Sequence, residues 1–196
     1  IASLRTFSRL DEAEFKAVNI HDGIESTLMI LQNRIKAKPN FPEVKIIKEY
    51  GNLPLVQCYP GQINQVFMNI LCNAIDALEE AGHHQASKQP MIHIHTELKA
   101  ESSLPLPSRD RLPRSSVIIR IADNGPGIPE KVRQHLFDPF FTTKPVGKGT
   151  GLGMSISYQI VTEKHHGSLK CLSNPGLGAE FVIEIPTHQL DPSDSY

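Results

Sequence analysis

The stretch Gln65–Asp76, QVFMNILCNAID, carries two patterns at once. Val66, Phe67, Ile70, Leu71, Ala74 and Ile75 recur at helical spacing, and with Ile63 and Leu78 they form one apolar stripe. The helix opens near Pro60, where a first-turn proline is tolerated, and stops at Gly82. Asn69 and Asn73 stand four positions apart, hence stacked on one helix face. At about 100° per residue, Asn69, Asn73 and Asp76 fall on the side away from the stripe centred on Ile70 and Ala74. Such a row could be a plain solvent face. Asparagine is a poor helix former, however, and exposed helix positions usually take Lys, Glu or Gln. A carboxamide oxygen is also a hard ligand suited to Mg²⁺, which takes few protein groups and leans on phosphate oxygens and water.

The segments around this helix set the fold class. FKAVNI, from Phe15, reads as a short strand, and Ile24, Leu28, Leu31 and Ile35 predict a helix over 20–37, with Asn19 or Asp22 as cap and Pro39 as stop. VKIIKEY and LVQCY read as two strands joined by a turn carrying Gly51, Asn52 and Pro54. MIHIHTEL and SSVIIRIAD are further strands, separated by KAESSLPLPSRDRLPRSS, whose prolines, serines and arginines predict a solvated loop. PEKVRQHLF is a short helix opened by Pro129, a helix over 152–166 follows, and SLKCLSN and AEFVIEIP close the chain as a hairpin. Strands that come in short-linked pairs are normally antiparallel neighbours. The expected fold is α+β, a two-layer sandwich with a mixed, mostly antiparallel sheet and helices on one face.

Composition excludes several classes. With 39% hydrophobic and 21% charged residues among 196, the chain can bury a core. A net charge of −1 gives no electrostatic case for a nucleic-acid or membrane-surface binder. Cys58, Cys72 and Cys171 are far apart and without CxxC spacing, so neither a zinc knuckle nor a disulfide framework is indicated, and a reducing compartment fits best. No apolar run approaches the roughly 20 residues of a membrane span, and IASLRTFSRL lacks the apolar region of a signal peptide. The absence of an initial methionine suggests a piece of a longer protein, and the expected location is cytoplasmic.

Three more stretches carry chemistry. GKGTGLGMS, Gly147–Ser155, fits neither a P-loop nor a dinucleotide fingerprint, because the spacing fails for the first and no buried strand precedes it for the second. Near-alternate glycines do let backbone amides face a ligand, and the run feeds a helix N-terminus that attracts anions. Taken alone, the run is equally a flexible loop. IRIADNGPGIP delivers Asp123 at a strand end beside Gly125 and Gly127, where a carboxylate can accept a hydrogen bond from an exocyclic amine while a flat ring lies against bare backbone. A strand-ending Asp-Asn-Gly turn is the plain alternative. LFDPFFTTK places Phe137, Phe140 and Phe141 around Pro139 and ends in Lys144, a core plug or a hinged lid with a cation for phosphate.

In this order, Asn69-x-x-x-Asn73-Ala74, Asp123-x-Gly125-x-Gly127, Phe137-x-x-Phe140-Phe141 and Gly149-x-Gly151-x-Gly153 resemble the N, G1, F and G2 boxes of sensor histidine kinases. The resemblance covers roughly residues 15–186 and implies the Bergerat fold, shared with gyrase, chaperone and mismatch-repair ATPases. It implies ATP and Mg²⁺ as cofactors. Asp123 would hold the adenine amino group, with Gly125 and Gly127 shaping that wall. Asn73 would coordinate Mg²⁺, and Asn69 would sit close to the same phosphates. Thr142, Thr143 and Lys144 would belong to the lid, with Lys144 near the terminal phosphates. Gly147, Lys148, Gly149, Thr150, Gly151, Leu152 and Gly153 would cradle the triphosphate as the lid's second hinge.

Asn69 separates the activities within that superfamily. The hydrolysing relatives lead one to expect a glutamate there as base, and an amide cannot take a proton. Asparagine suits transfer to a neutral imidazole, and catalysis is then mostly positioning and charge neutralisation. The expected function is an ATP-binding catalytic core that phosphorylates a histidine and passes the phosphate to a response-regulator aspartate. A non-catalytic nucleotide sensor and an ATPase are the alternatives. His21 has no H-E/D-x-x-N/T-P context and reads as a capping or surface residue. Residues 1–14 resemble the end of a dimerisation hairpin, 15–188 the catalytic domain and 189–196 a polar tail, so the acceptor lies before Ile1 and the full-length protein is expected to dimerise. His93 with His95, His83 with His84 and His165 with His166 read as exposed positions rather than metal sites. Two departures stand out. Ala179 occupies the hydroxyl position of a G-x-G-[ST]-x-F pattern, and Asp76 replaces a basic residue many relatives carry three past Asn73.

Overall fold

The computed structural model describes residues 14–39, 41–82, 89–100, 115–144 and 149–188. The elements run β1 (Lys16–Val18), α1 (Ile20–Ile35), β2 (Lys45–Tyr50), β3 (Val56–Cys58), α2 (Pro60–Gly82), β4 (Met91–Ala100), β5 (Ser115–Asp123), a single turn α3 (Glu130–Arg133), α4 (Gly153–Gln159), β6 (Ser168–Ser173) and β7 (Ala179–Pro186). The expected loop over 101–114, the expected hairpin end over 1–13, His83, His84, Gly147, Lys148 and the tail from 189 lie outside the described residues.

The main sheet has five strands in the order β2-β4-β5-β7-β6. Its pattern follows from period-two alternation: Ile92 and Ile94 on β4, Val117, Ile119 and Ile121 on β5, and Phe181, Ile183 and Ile185 on β7 all turn one way and are buried. The register aligns them in rows, Ile94 beside Ile121 beside Phe181 beside Cys171, and Ile119 beside Ile183 beside Leu169. The opposite face carries Met91, His93, His95, Glu180 and Glu184 at least partly in water. The apolar face is covered by α2, whose Ile63, Phe67, Ile70, Leu71 and Ile75 are almost wholly buried. Burying each such side chain is worth about 1.5–3 kcal/mol. The α+β layering with helices on one face is as the sequence leads one to expect.

The strand pairing departs from expectation at one point. β2 and β3 do not form a hairpin. β2 pairs in parallel with β4, Ile46 beside Ile92, while β3 pairs antiparallel with β1, Val56 beside Val18, in a separate two-stranded sheet. Parallel neighbours need a long crossover, and β3 with α2 supplies it. Gly51 still donates from its N–H to the Thr96 carbonyl at 2.9 Å, so the chain leaves the sheet only after that bond. Gln57 then bonds the Thr187 carbonyl at 3.0 Å, which ties the small sheet to the end of β7.

Helix ends show their causes. Asn19 caps α1 by accepting from the His21 N–H at 3.1 Å. The helix stops at Ile35, two residues earlier than expected, because Lys36 turns extended and the Ile35 carbonyl takes the Val44 N–H at 2.8 Å. Beyond α4 the chain widens into a π turn, Ile160–Lys164. There His165 is fully buried, in contrast to the exposed position expected for it. Its Nδ1–H donates to the Ile160 carbonyl at 2.8 Å and its Nε2 accepts from the Tyr59 N–H at 3.0 Å. The start of α2 is thereby pinned to the end of α4, and burial lowers the pKa of this imidazole. His21 sits half-buried at the start of α1, stacked on Tyr50 with its Nε2 2.9 Å from the Thr96 hydroxyl.

Candidate functional site

One face of α2 organises the site in rungs. At the first, Asn69 Nδ2 donates to the Gly153 carbonyl and to the Ser157 hydroxyl, each at 3.0 Å, which fixes the beginning of α4 against α2. One turn along, Asn73 Oδ1 accepts from Lys144 Nζ at 3.1 Å. The same ammonium also bonds Asp76 Oδ2. Another turn along, an added Cβ at Gly125 would lie 3.7 Å from Ala77 Cβ and 3.7 Å from Leu78 Cδ2, so the segment after β5 rests directly on the helix. Each helical turn advances about 5.4 Å. The amides, Lys144 and the segment after β5 therefore meet on one side of one helix.

The end of β5 is a built corner. Asp123 Oδ1 accepts from the Gly125 N–H at 2.8 Å and from the Ala179 N–H at 3.4 Å. Burial pushes the Asp123 pKa up despite these bonds, which favour the ionised form. Gly127 has φ of +74°, and a Cβ there would stand 2.2 Å from the Asn174 carbonyl oxygen, so only glycine fits. Ser173 stitches the corner to the last hairpin: its hydroxyl accepts from the Ile128 N–H at 2.8 Å and donates to the Gly178 carbonyl at 2.7 Å. Asn124 closes the other side by accepting from the Met91 N–H at 2.8 Å and donating to the Gln89 carbonyl at 2.9 Å.

The aromatic stretch divides its labour. Phe137 packs on Tyr158 of α4 with ring centroids 5.1 Å apart, whereas Phe140 is 75% exposed with φ of +66°. Phe141 lies near His135. Thr142 Oγ1 accepts from the Lys144 N–H at 3.1 Å, and Thr143 is exposed. At the far end Gly151, φ +66°, would put a Cβ 2.4 Å from the Phe140 carbonyl carbon, so the two ends of this segment touch. Thr150 Oγ1 accepts from the Leu152 N–H at 3.3 Å.

Electrostatics concentrate around Asp76. Arg34 of α1 donates from Nη2 to Asp76 Oδ1 at 2.5 Å and to Glu79 at 2.9 Å, and Lys38 pairs with Glu79 as well. Burial pushes the Asp76 carboxyl up, but the hydrogen bonds from Lys144 and Arg34 hold it below the ordinary carboxylate range. The cysteine thiols offer no nucleophile here: burial raises Cys58 to about 12 and Cys171 to about 11. No group of three or more His, Cys, Asp or Glu among the described residues could hold a metal ion. A divalent ion here would rely on oxygens brought by a ligand, and Asn73 Oδ1, already facing a cation, fits that demand.

The structure therefore brings Asn69, Asn73, Gly125, Lys144 and Gly153 to one face of α2. Asp123 and Gly127 belong to the corner after β5, which rests on that helix through Gly125, while Gly151 meets Phe140 and Thr142, Thr143, Gly149, Thr150 and Leu152 lie in the adjoining segment. Residues that sequence reasoning passed over are Arg34, Ser157, Ser173 and the backbone amide of Ala179. The first lies in another helix, and the last carries no side-chain signal at all.

Comparison with known proteins gives the family. Residues 59–189 match the family described as histidine kinase-, DNA gyrase B- and HSP90-like ATPases. The chain is 33% identical over 188 residues to the sensor kinase CckA of Brucella abortus, covering 95% of this chain and 18% of that protein. It is 32% identical to the signal transduction histidine-protein kinase AtoS of Escherichia coli K12, covering 95% of this chain and 26% of that protein. The chain thus spans about a fifth to a quarter of the curated relatives it matches. The solved catalytic domain of the histidine kinase ThkA is 28% identical with a TM-score of 0.65, over 89% of this chain and 96% of that one.

Proposed function

The chain belongs to the family of histidine kinase-, DNA gyrase B- and HSP90-like ATPases, and on that footing we propose that it is the ATP-binding catalytic core of a two-component sensor histidine kinase. In this reading the adenine amino group donates to Asp123, whose Oδ1 is already engaged by two backbone amides, while the ring lies against the backbone of Gly125 and Gly127. Asn73 would hold Mg²⁺ through its amide oxygen, where the ion would supply neutralisation of phosphate charge. Asn69 keeps α4 in place with its amide nitrogen, and its own oxygen faces the phosphates. Lys144 reaches the terminal phosphates, with Thr142 and Thr143 beside it in the lid. Gly149, Thr150, Gly151, Leu152 and Gly153, together with Gly147 and Lys148 of the same glycine run, are assigned to cradle the triphosphate as the lid's second hinge.

The observation that carries transfer over hydrolysis is that Asn69, an amide, stands where a base would be needed, and among the described residues its side chain bonds only Gly153 and Ser157. Its amide nitrogen is a committed donor, and the carboxylate of Asp76, two turns along α2, is paired with Arg34 of α1 and is a weak proton acceptor. Water would therefore go unactivated, whereas a neutral imidazole attacks without losing a proton first. The rest is positioning and charge neutralisation, the usual burden in phosphoryl transfer.

The phosphorylated group in this reading is a histidine outside residues 15–188, on a dimerisation hairpin. Residues 15–188 are assigned to the catalytic domain. The full-length protein is a homodimer and hands the phosphate to the receiver domain of a response regulator. No helix among the described residues is long and apolar enough to cross a membrane. The proposed use of ATP assigns the catalytic core to the cytoplasm.

The test mixes this chain with its separately expressed dimerisation hairpin and γ-labelled ATP with Mg²⁺. Acid-labile, base-stable label on the hairpin is the expected result. Sustained phosphate release without the hairpin would favour the ATPase, and nucleotide binding with neither outcome would favour a sensor.

A further inference from the structure

The carboxylate at position 76 is out of place if it faces phosphates bare, because like charges at a few ångströms repel even at a protein surface. Its surroundings resolve the conflict. Lys144 Nζ touches Asn73 Oδ1 at 3.1 Å and Asp76 Oδ2 together, so an amide oxygen and a carboxylate oxygen one turn apart converge on a single point that accepts positive charge. The other oxygen, Asp76 Oδ1, is held from behind by Arg34 at 2.5 Å, and Arg34 is braced in turn by Glu79 at 2.9 Å. The carboxylate is thus presented in a fixed orientation by a second helix.

We propose that Asp76 is the second protein oxygen of the divalent-cation site beside Asn73, and that the ammonium of Lys144 keeps its place in the nucleotide-free protein. This rests on the nucleotide reading above. The two oxygens are hard donors of the kind Mg²⁺ accepts directly or through water. With the ion between them, Asp76 and the triphosphate attract it from both sides instead of repelling each other. Lys144 and the ion cannot share one position, so arrival of the metal-bound nucleotide frees Lys144 for the terminal phosphates. Loss of a basic residue at position 76 is then an exchange: the charge moves from the helix to the ion, and Arg34 balances the carboxylate that remains.

The test uses this chain, a fluorescent ATP analogue and Mn²⁺ as the probe, with free Mn²⁺ followed by electron paramagnetic resonance. Asp76→Asn should weaken Mn²⁺ binding to the analogue-saturated chain by about tenfold or more, the range seen when metal-site partners are removed. Its affinity for the analogue in EDTA should be unchanged or higher. Asp76→Glu, which keeps the carboxylate, should recover most of the Mn²⁺ affinity. Lys144→Ala should tighten Mn²⁺ binding to the nucleotide-free chain, and adding Asp76→Asn should cancel that gain. Wild-type Mn²⁺ affinity in Asp76→Asn overturns the proposal. So does an equal loss in Asp76→Glu at unchanged melting temperature, since that is the mark of a structural role only. Failure of the wild-type chain to bind the analogue at all would instead strike the nucleotide reading.

Discussion

Asn69 and Gly153 are joined across two helices, the Asn69 amide donating to the Gly153 carbonyl at 3.0 Å while the same amide reaches Ser157 at 3.0 Å. A residue proposed to sit beside the phosphates thus also fastens α4, and the two duties separate by mutation. Asn69→Ala removes both bonds but leaves the Gly153 carbonyl its bond from Ser157 at 2.8 Å. A net cost of about 1–2 kcal/mol is expected. Asn69→Asp sets a carboxylate against a carbonyl oxygen and should fall below the alanine variant in thermal denaturation. An aspartate variant as stable as the wild type would show that Asn69 does not hold α4.

Asp123→Asn should divide stability from function. The Asp123 pKa is raised, so its ionised form is disfavoured in the fold. The sign follows: such a group stabilises the fold only below its unfolded pKa, near 4, and at neutral pH ionisation costs stability. Asparagine keeps an Oδ1 acceptor for Gly125 and Ala179 and carries no charge. The variant should melt slightly higher than wild type without nucleotide. It presents a donor where the adenine amine needs an acceptor, so analogue affinity should drop by about 10–100-fold. Intact affinity in a calorimetric titration would remove Asp123 from the site.

Much of this was legible because the chemistry is concentrated in short segments. The alternation in β4, β5 and β7 and the single stripe of α2 report which face is buried, and the two asparagines stand out on that helix because asparagine is a poor helix former. Pairing was less legible. A period-two pattern assigns faces, not neighbours, and three-residue β3 carries too little pattern to name β1 as its partner or to show that β2 waits for β4. The ionic support of the site was invisible for a related reason. Arg34 lies 42 positions from Asp76 and reads as an ordinary basic residue in the last turn of α1. Ala179 looked like the loss of a hydroxyl, yet its contribution is a backbone amide, which any residue supplies.

Gly127→Ala tests the corner without touching charge. The methyl would meet the Asn174 carbonyl oxygen at 2.2 Å from a backbone at φ +74°. Backbone must move on both counts, and a loss of about 2–4 kcal/mol is expected from overpacking and left-handed strain together. Gly176→Ala is the control, since φ is +82° there but no atom lies within 4 Å of the added methyl. Its cost should be about 1 kcal/mol, from conformation alone. Equal losses in urea unfolding would mean that the approach of Asn174 is not what selects glycine at 127.

The stability of the whole domain should fall on mild acidification, and His165 gives the reason. Its imidazole is buried with Nδ1–H committed to the Ile160 carbonyl and Nε2 accepting from the Tyr59 N–H. A proton on Nε2 would confront that N–H, and burial already penalises the charge, so the folded pKa lies below 6.5. His166, the neighbouring imidazole, lowers it further. The folded state then binds fewer protons than the unfolded one, and unfolding free energy rises with pH through this window. The contribution is complete above about pH 6.5 and is lost as pH falls from there through the folded pKa. Urea titrations between pH 5 and 8 should show that slope, and His165→Gln, which can keep one donor and one acceptor, should flatten it. A slope that survives in the glutamine variant would assign the acid sensitivity to another group.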